Sequence, residues 1–370
     1  MWTTIAVSPL AITTIAPTEP TKVTVFRAKT DGYDTYRIPS VIVTPKGTVL
    51  AFCEGRVKST SDTGNIDLIV KRSIDGGKTW GAQEIVWDDA DNTCGNPCPV
   101  IDRATGTIWM LMTHNLGTDK ESDIIKGTSK GSRTVWITSS TDDGKTWTKP
   151  TNITPETKRD DWTWYATGPG CGIELKSGRL VIPCDHRSGK PPKLFSHVIH
   201  SDDHGKSWKI GGIAGPDSNE CEVVELLDGK LLLNMRNYNR TTTSRSISFS
   251  NDEGKTWSNV EADKNLIEPL CQASIRRYSH DKSRILFSNP ADPSKRKNMT
   301  IRLSYDEAKT WPVAKSLHEG PAAYSCLTVM PDGNIGIVYE SGVKSPYEEI
   351  TFATLSLEWL TDGKDVPPKK

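Results

Sequence analysis

The sequence predicts an all-β fold, a six-bladed β-propeller built from four-stranded antiparallel blades. Three observations predict it. The pattern Ser-x-Asp-x-Gly-x-x-Trp occurs at residues 73–80, 140–147, 201–208, 250–257 and 304–311, with Ala308 replacing the glycine in the last copy. A fainter unit, an apolar strand, a polar turn usually closed by Gly and a second apolar strand, occurs six times along the chain. Five of these six units are followed by a third strand that runs into one of the eight-residue turns. In each such turn the Asp can accept from turn amides, the Gly can take a positive φ and the Trp can pack back on the sheet.

Taken in order, residues 1–21, "MWTTIAVSPLAITTIAPTEPT", are mildly apolar but lack a basic segment, so they read as a leader remnant or flexible arm. Residues 22–360 are expected to form the propeller. "KVTVFRA" is the expected closing strand, pairing beside "ITFATLSLEWL". The strand pairs follow: "PSVIVTPKGTVLAF", "PCPVIDRATGTIWMLM", "CGIELKSGRLVIP", "CEVVELLDGKLLLNM", "ASIRRYSHDKSRILFS" and "SCLTVMPDGNIGIVY". Roughly 340 residues over six blades is about 57 each, near the lengths expected of propeller repeats. The tail, 361–370, reads as disordered.

Composition excludes several function classes. With 46 basic and 46 acidic residues there is no general electrostatic grip for nucleic acid or an anionic membrane. No run of 18 apolar residues marks a membrane-spanning helix. "CGNPC" at 94–98 lacks a second Cys/His pair at zinc spacing, so no metal and no other cofactor is expected. Cys171 and Cys184 flank the turn "KSG" and read either as a hairpin disulfide or as two buried thiols. Sequons at Asn152, Asn239 and Asn298 carry little weight alone. A secreted or periplasmic monomer is the expectation.

In an up-down blade the first-to-second and third-to-fourth turns share one face. Starts of first strands and ends of second strands therefore gather around the axis on the other. First-strand starts supply Arg37, Asn96, Gly168 to Gly170, Glu220 and Tyr324. Second-strand ends supply Glu54, Arg56, Asp62 a little further on, His114, Asp185, His186, Arg236 and Glu340. So many charges at one axial mouth point to recognition of a charged ligand rather than to solvated edge residues.

The five Asp-turns, "YRIP", "NECEVVELLDGKLLLNMR", "MTIRLSYDE" and "GPAAYSCL" together resemble the sialidases (exo-α-neuraminidases) of the bacterial and animal type, over residues 25–358. The resemblance implies that Arg37, Arg236 and Arg302 form the arginine triad that holds the sialic acid carboxylate, with bidentate geometry that lysines could not supply. Arg302 enters on the resemblance alone, since it lies near an Asp-turn on a third strand. Glu340 corresponds to the carboxylate that steadies the first arginine. Tyr324 and Glu220 correspond to the nucleophile and its base, sialidases being an exception to the two-carboxylate scheme for glycosidases. A phenol avoids the repulsion a carboxylate nucleophile would meet, but needs a nearby base. Glu222 and Glu225 are rivals to Glu220 that strand alternation disfavours. Asp62 corresponds to the general acid/base, Asp67 reads as structural, and Arg56 would bind a sugar hydroxyl or steady Asp62. Asn96 stands where some members have Asp to bind the 4-hydroxyl, and Trp164 or Tyr165 would line the aglycone side.

The implied activity is retaining exo-α-sialidase hydrolysis of sialylated glycoproteins, glycolipids or oligosaccharides. Transfer of sialic acid, or its intramolecular release, would use the same residues. A sialoglycan-binding propeller without catalysis would need the arginines but not Asp62, Tyr324 and Glu220 together.

Overall fold

The computed structural model describes residues 18–238, 240 and 242–368. The first seventeen residues of the expected arm, the sequon residue Asn239 and the last two residues of the tail lie outside these. The regular secondary structure of the described chain is almost entirely β, arranged as six successive antiparallel quartets. The first is Thr35–Val43, Val49–Arg56, Ile66–Ser73 and Glu84–Trp87. The second is Thr93–Ile101, Ile108–Asn115, Thr134–Ser140 and Thr151–Asn152. In the third, a broken inner strand (Trp162–Thr167 and Ile173–Glu174) is followed by Leu180–Ser188, Lys193–Ser201 and Lys209–Ala214. The fourth is Ser218–Glu225, Leu231–Asn237, Ser244–Ser250 and Glu261–Ile267.

The 17-residue strand Val313–Val329 serves twice. Its first part closes the fifth quartet after Ser274–Ser279, Arg284–Pro290 and Lys297–Ser304. Its second part opens the sixth, followed by Ile335–Ser341 and Glu349–Leu355. The N-terminal strand Thr21–Arg27 then pairs antiparallel with Glu349–Leu355, joining the two ends of the chain. Beyond residue 356 the expected strand is instead a short helix, Leu357–Thr361, capped by the Ser356 hydroxyl. The tail is tied down at Asp365, whose carboxylate takes a bidentate grip from Arg284 at 2.6 and 2.8 Å.

Each Asp-turn has one construction. At residues 73–80 the Asp75 carboxylate accepts from the Lys78 and Thr79 amides and the Ser73 hydroxyl, while the Gly77 amide donates to Ser73. The glycine is needed for contact as well as conformation. A Cβ on Gly144 would lie 2.6 Å from Leu50 in the preceding quartet, and one on Gly205 would lie 2.2 Å from Trp109. Gly77 nests in the same way against Phe352 of the sixth quartet. Trp80 stacks edge-on to Phe352 and Trp147 edge-on to Phe52. Every turn thus cements its quartet to the one before, the first to the last.

Candidate active site

The inner strands do not reach the cleft as regular strands. The register slips between Arg37 and Ser40, Gly95 and Cys98, Ser218 and Cys221, and Ala322 and Ser325. These bulges re-aim side chains toward the cleft, and they hold Arg37, Asn96, Glu220 and Tyr324. Pro39 and Pro97 fall inside two of them, where a residue without an N–H costs no ladder bond. Ile38 and Asn96 take positive φ (59° and 54°), an unusual conformation for a β-branched residue at the first position.

Buried carboxylates hold the bulges. Glu340, fully buried, accepts from Arg37 Nε at 2.6 Å, from the Ile38 amide at 3.0 Å and from the Tyr324 amide at 3.1 Å. Glu54 accepts from the Asn96 amide at 2.9 Å and from Arg56 at 2.6 and 3.0 Å.

One cleft of about 170 Å³ gathers Arg37, Glu54, Arg56, Asp62, Asn96, Trp164, Asp185, Glu220, Arg236 and Tyr324, all among the sequence expectations. On its floor the Tyr324 hydroxyl donates to Glu220 Oε1, while Arg236 Nη1 donates to Glu220 Oε2 at 2.6 Å and to the Tyr324 oxygen at 3.1 Å. Burial first, and the Glu220 charge second, push the Tyr324 phenol well above its ordinary range, against the pull of Arg236 and Arg296. The phenol is therefore neutral at rest and hydrogen-bonded to its nearest acceptor. Burial opposes the charges of Arg37 and Arg236, but Glu340 and Glu220 respectively overcome it and keep both guanidiniums ionised.

At the rim, Asp62 pairs with Arg56 Nη2 at 2.7 Å and leaves 57% of its side chain exposed. Its position in the cleft raises its pKa, but Arg56 and then Arg37 more than offset this and hold the carboxyl below the usual range. Across the cleft, the Asn96 oxygen is occupied by Arg133 and Thr113. Arg133 lies 4.2 Å from the Trp164 ring centroid.

Two expected residues lie elsewhere. Arg302 is not in the cleft; its Nη1 donates to Asn289 at 3.0 Å, on the part of its strand that runs toward the Asp-turn. The third cleft arginine is Arg296, which precedes that strand and lies 5.5 Å from the Tyr324 ring centroid. Tyr165 is fully buried, and its hydroxyl is 3.1 Å from His197 Nε2. Its neighbours Trp164 and Ala166 line the cleft, as strand alternation requires. Asp67 accepts from the Tyr33 hydroxyl at 2.6 Å, away from the cleft lining. His186 is stacked on Trp162 at 3.5 Å. Cys171 and Cys184 are both free thiols, and Cys171 faces Cys326 instead.

Sequence reasoning missed Arg133, Leu194 and Arg296, along with Glu121 on the helix Glu121–Lys126. A third strand begins where a second ends, so third-strand starts also reach this mouth, and inspecting them would have found the first three.

Residues 47–337 match the BNR repeat-like domain family. The chain is 33% identical to a sialidase of Micromonospora viridifaciens over 89% of this chain and 53% of that protein. It is 32% identical to an exo-alpha-sialidase of Aspergillus fumigatus over 90% of this chain and 86% of that protein. Among solved structures, a Hadza microbial sialidase superposes with a TM-score of 0.84 at 31% identity, covering 92% of this chain and 69% of that one. The chain thus spans little more than half of the Micromonospora relative and most of the fungal one. Among the described residues no helix is long and apolar enough to cross a membrane.

Proposed function

Because the chain belongs to the BNR-repeat sialidase family, we propose that it is a retaining exo-α-sialidase that releases terminal sialic acid from glycoconjugates through a covalent tyrosyl intermediate. The six quartets are read as six blades of a closed ring, with the cleft at its axis. The observation that carries the proposal is the Tyr324–Glu220–Arg236 contact on the cleft floor, flanked by Arg37 and Arg296.

In this reading Arg37, Arg236 and Arg296 hold the substrate carboxylate by charge-assisted bonds, with Glu340 fixing Arg37. That orientation presents the anomeric carbon to the Tyr324 oxygen. As the oxygen attacks, its proton passes to Glu220, so the phenol gains nucleophilicity only when the new bond forms. Asp62, protonated, gives its proton to the departing glycosidic oxygen. The Asp62 carboxylate then takes a proton from water, the hydroxide adds to the anomeric carbon, and Tyr324 leaves, recovering its proton from Glu220. Two displacements restore the original anomeric configuration. Asn96, Arg133 and Trp164 supply the opposite wall for the rest of the sugar.

Hydrolysis of a fluorogenic sialoside, followed by proton NMR, tests the proposal. The expected first product is free α-sialic acid, which later mutarotates. Release of the β-anomer first, or no turnover at all, would contradict it.

A further inference from the structure

Behind the cleft floor lies a paired-thiol site that the proposed chemistry does not use. Cys171 Sγ and Cys326 Sγ are 3.5 Å apart and in hydrogen-bond contact, although 155 residues separate them in the chain. Cys171 lies in the break between the two halves of the third quartet's inner strand, and Cys326 lies on the inner strand of the sixth, two residues after Tyr324. Gln272 holds these segments together. Its Nε2 donates to Pro169 O at 3.3 Å and Ser325 O at 2.9 Å, and its Oε1 accepts from the Ser325 amide at 2.9 Å. Both cysteines are at least 98% buried.

The chemistry around the pair favours oxidation. The Arg276 guanidinium donates to Cys171 Sγ, and its Nε is buried without a partner among the described residues. A cation beside a thiol stabilises thiolate, the reactive form. The Cys326 contact first, and Arg276 after it, lower the Cys171 pKa against the opposing effect of burial. Glu222 completes a cluster within 4.8 Å that has the composition of a metal site. Yet its oxygens already accept from the Cys171 amide at 3.3 Å and from Ser274 and the Ile275 amide at 2.8 Å each. The guanidinium against Cys171 would also repel a bound cation.

A route to solvent lies on the face opposite the catalytic cleft. A cavity of about 560 Å³ is lined by residues from all six inner strands, among them Val41, Gly172 and Arg276. Val41 O accepts from Cys326 Sγ at 3.7 Å, Gly172 follows Cys171 in the chain, and Arg276 touches Cys171.

We propose that Cys171 and Cys326 form an oxidisable dithiol, closed to a disulfide by hydrogen peroxide or a similarly small hydroperoxide, that staples the third quartet to the sixth beneath Tyr324. The Cys171 thiolate attacks one peroxide oxygen, the O–O bond breaks, and the other oxygen leaves as water once protonated. The resulting sulfenic acid is attacked by the Cys326 sulfur, which loses its proton as the second water departs. The two sulfurs give up two electrons and one peroxide takes them.

The test uses the full chain, treated with hydrogen peroxide under native conditions and alkylated after unfolding. Of eight thiols, two should be lost. Non-reducing peptide mass mapping should show a Cys171–Cys326 cross-link, lighter by two hydrogens and reversed by dithiothreitol, and the thermal midpoint should rise. Cys171→Ala and Cys326→Ala should each lose the cross-link. Should either variant fail to fold, the wild-type mapping alone still decides. Sulfinic acid on Cys171 without a cross-link, a bridge between other cysteines, no thiol loss, or stoichiometric zinc that blocks alkylation of the pair would overturn the proposal.

Discussion

Asp62 meets the cleft as the partner of Arg56, and a carboxyl whose pKa that ion pair depresses is almost wholly ionised near neutrality, with little proton to give. If it protonates the leaving group, kcat/KM for a natural sialoside should fall as pH rises through its depressed pKa. Removing the cation raises that pKa, so Arg56→Gln should move the falling limb to higher pH while lowering the maximum. A limb that stays in place would show that another group supplies the proton. A second prediction concerns the arginines. Arg296→Lys should cost about 2–5 kcal/mol of transition-state binding, the range for breaking a buried charged contact, because an ammonium cannot make the fork. Arg302→Lys should leave KM unchanged, and KM values measured side by side decide between them. Arg302 was misplaced for a geometric reason. It lies six residues beyond Arg296, which stands just before the same strand, up to about 20 Å at the rise of a β-strand, and so toward the Asp-turn. Arg37, Arg236, Glu220 and Tyr324 were legible because inner-strand starts and second-strand ends converge at one mouth whatever the register. Tyr165 was not separable from Trp164, since a bulge between Trp162 and Tyr165 leaves the inward parity of that strand unreadable from sequence.

The Asp-turns show what is legible at the scale of elements. Each is complete within eight residues, so its Asp, Gly and Trp announce themselves, whereas a bulge depends on the partner strand and leaves little trace beyond Pro39 and Pro97. The fifth turn carries a testable flaw, because Ala308 holds φ at 63° where the other copies have glycine. A left-handed non-glycine residue costs about 1–2 kcal/mol, and glycine gives back about 0.4–1 kcal/mol through the unfolded chain. Ala308→Gly should therefore be stabilising by up to about 1 kcal/mol. Gly144→Ala, whose Cβ would press on Leu50, should be destabilising. Denaturant midpoints of the two variants compare them directly, and a destabilised Ala308→Gly would contradict the account. The turns also predict acid sensitivity. Asp142, Asp203 and Asp252 are each lowered from 3.8 to about 2. The Thr146 hydroxyl leads at Asp142, while at Asp203 and Asp252 burial acts upward and the Ser207 and Thr256 bonds outweigh it. Depressed carboxyls contribute stability that is present above the unfolded pKa and lost as pH falls through the folded one. The thermal midpoint should thus drop between pH 3.8 and about 2, and Asp142→Asn should flatten that drop. Parallel curves for variant and wild type would assign the acid loss elsewhere.

At the scale of the molecule, the repeated turns on one face and the cleft on the other are consequences of one topology. Where inner strands of neighbouring quartets approach one another, Glu54, Glu222 and Glu340 each bind a backbone amide of another quartet. The carboxylates stitch the centre while the Asp-turns stitch the periphery, which leaves the axial side chains rigidly placed. Tyr324 and Glu220, 104 residues apart, owe their contact to this arrangement. The antiparallel strand pairs could be read from sequence because each is a local alternation of apolar strand and polar turn. The stitching carboxylates could be read only in part, since a buried Glu and a rim Glu look alike until the neighbouring strand is in place. The central claim is that Tyr324 is the atom-bearing nucleophile of the proposed reaction. Incubation with a fluorinated, activated sialic acid that traps the intermediate, followed by peptide mass spectrometry, tests it most directly: the account predicts the sialosyl label on Tyr324, and a label on Glu220 or Asp62 would contradict it.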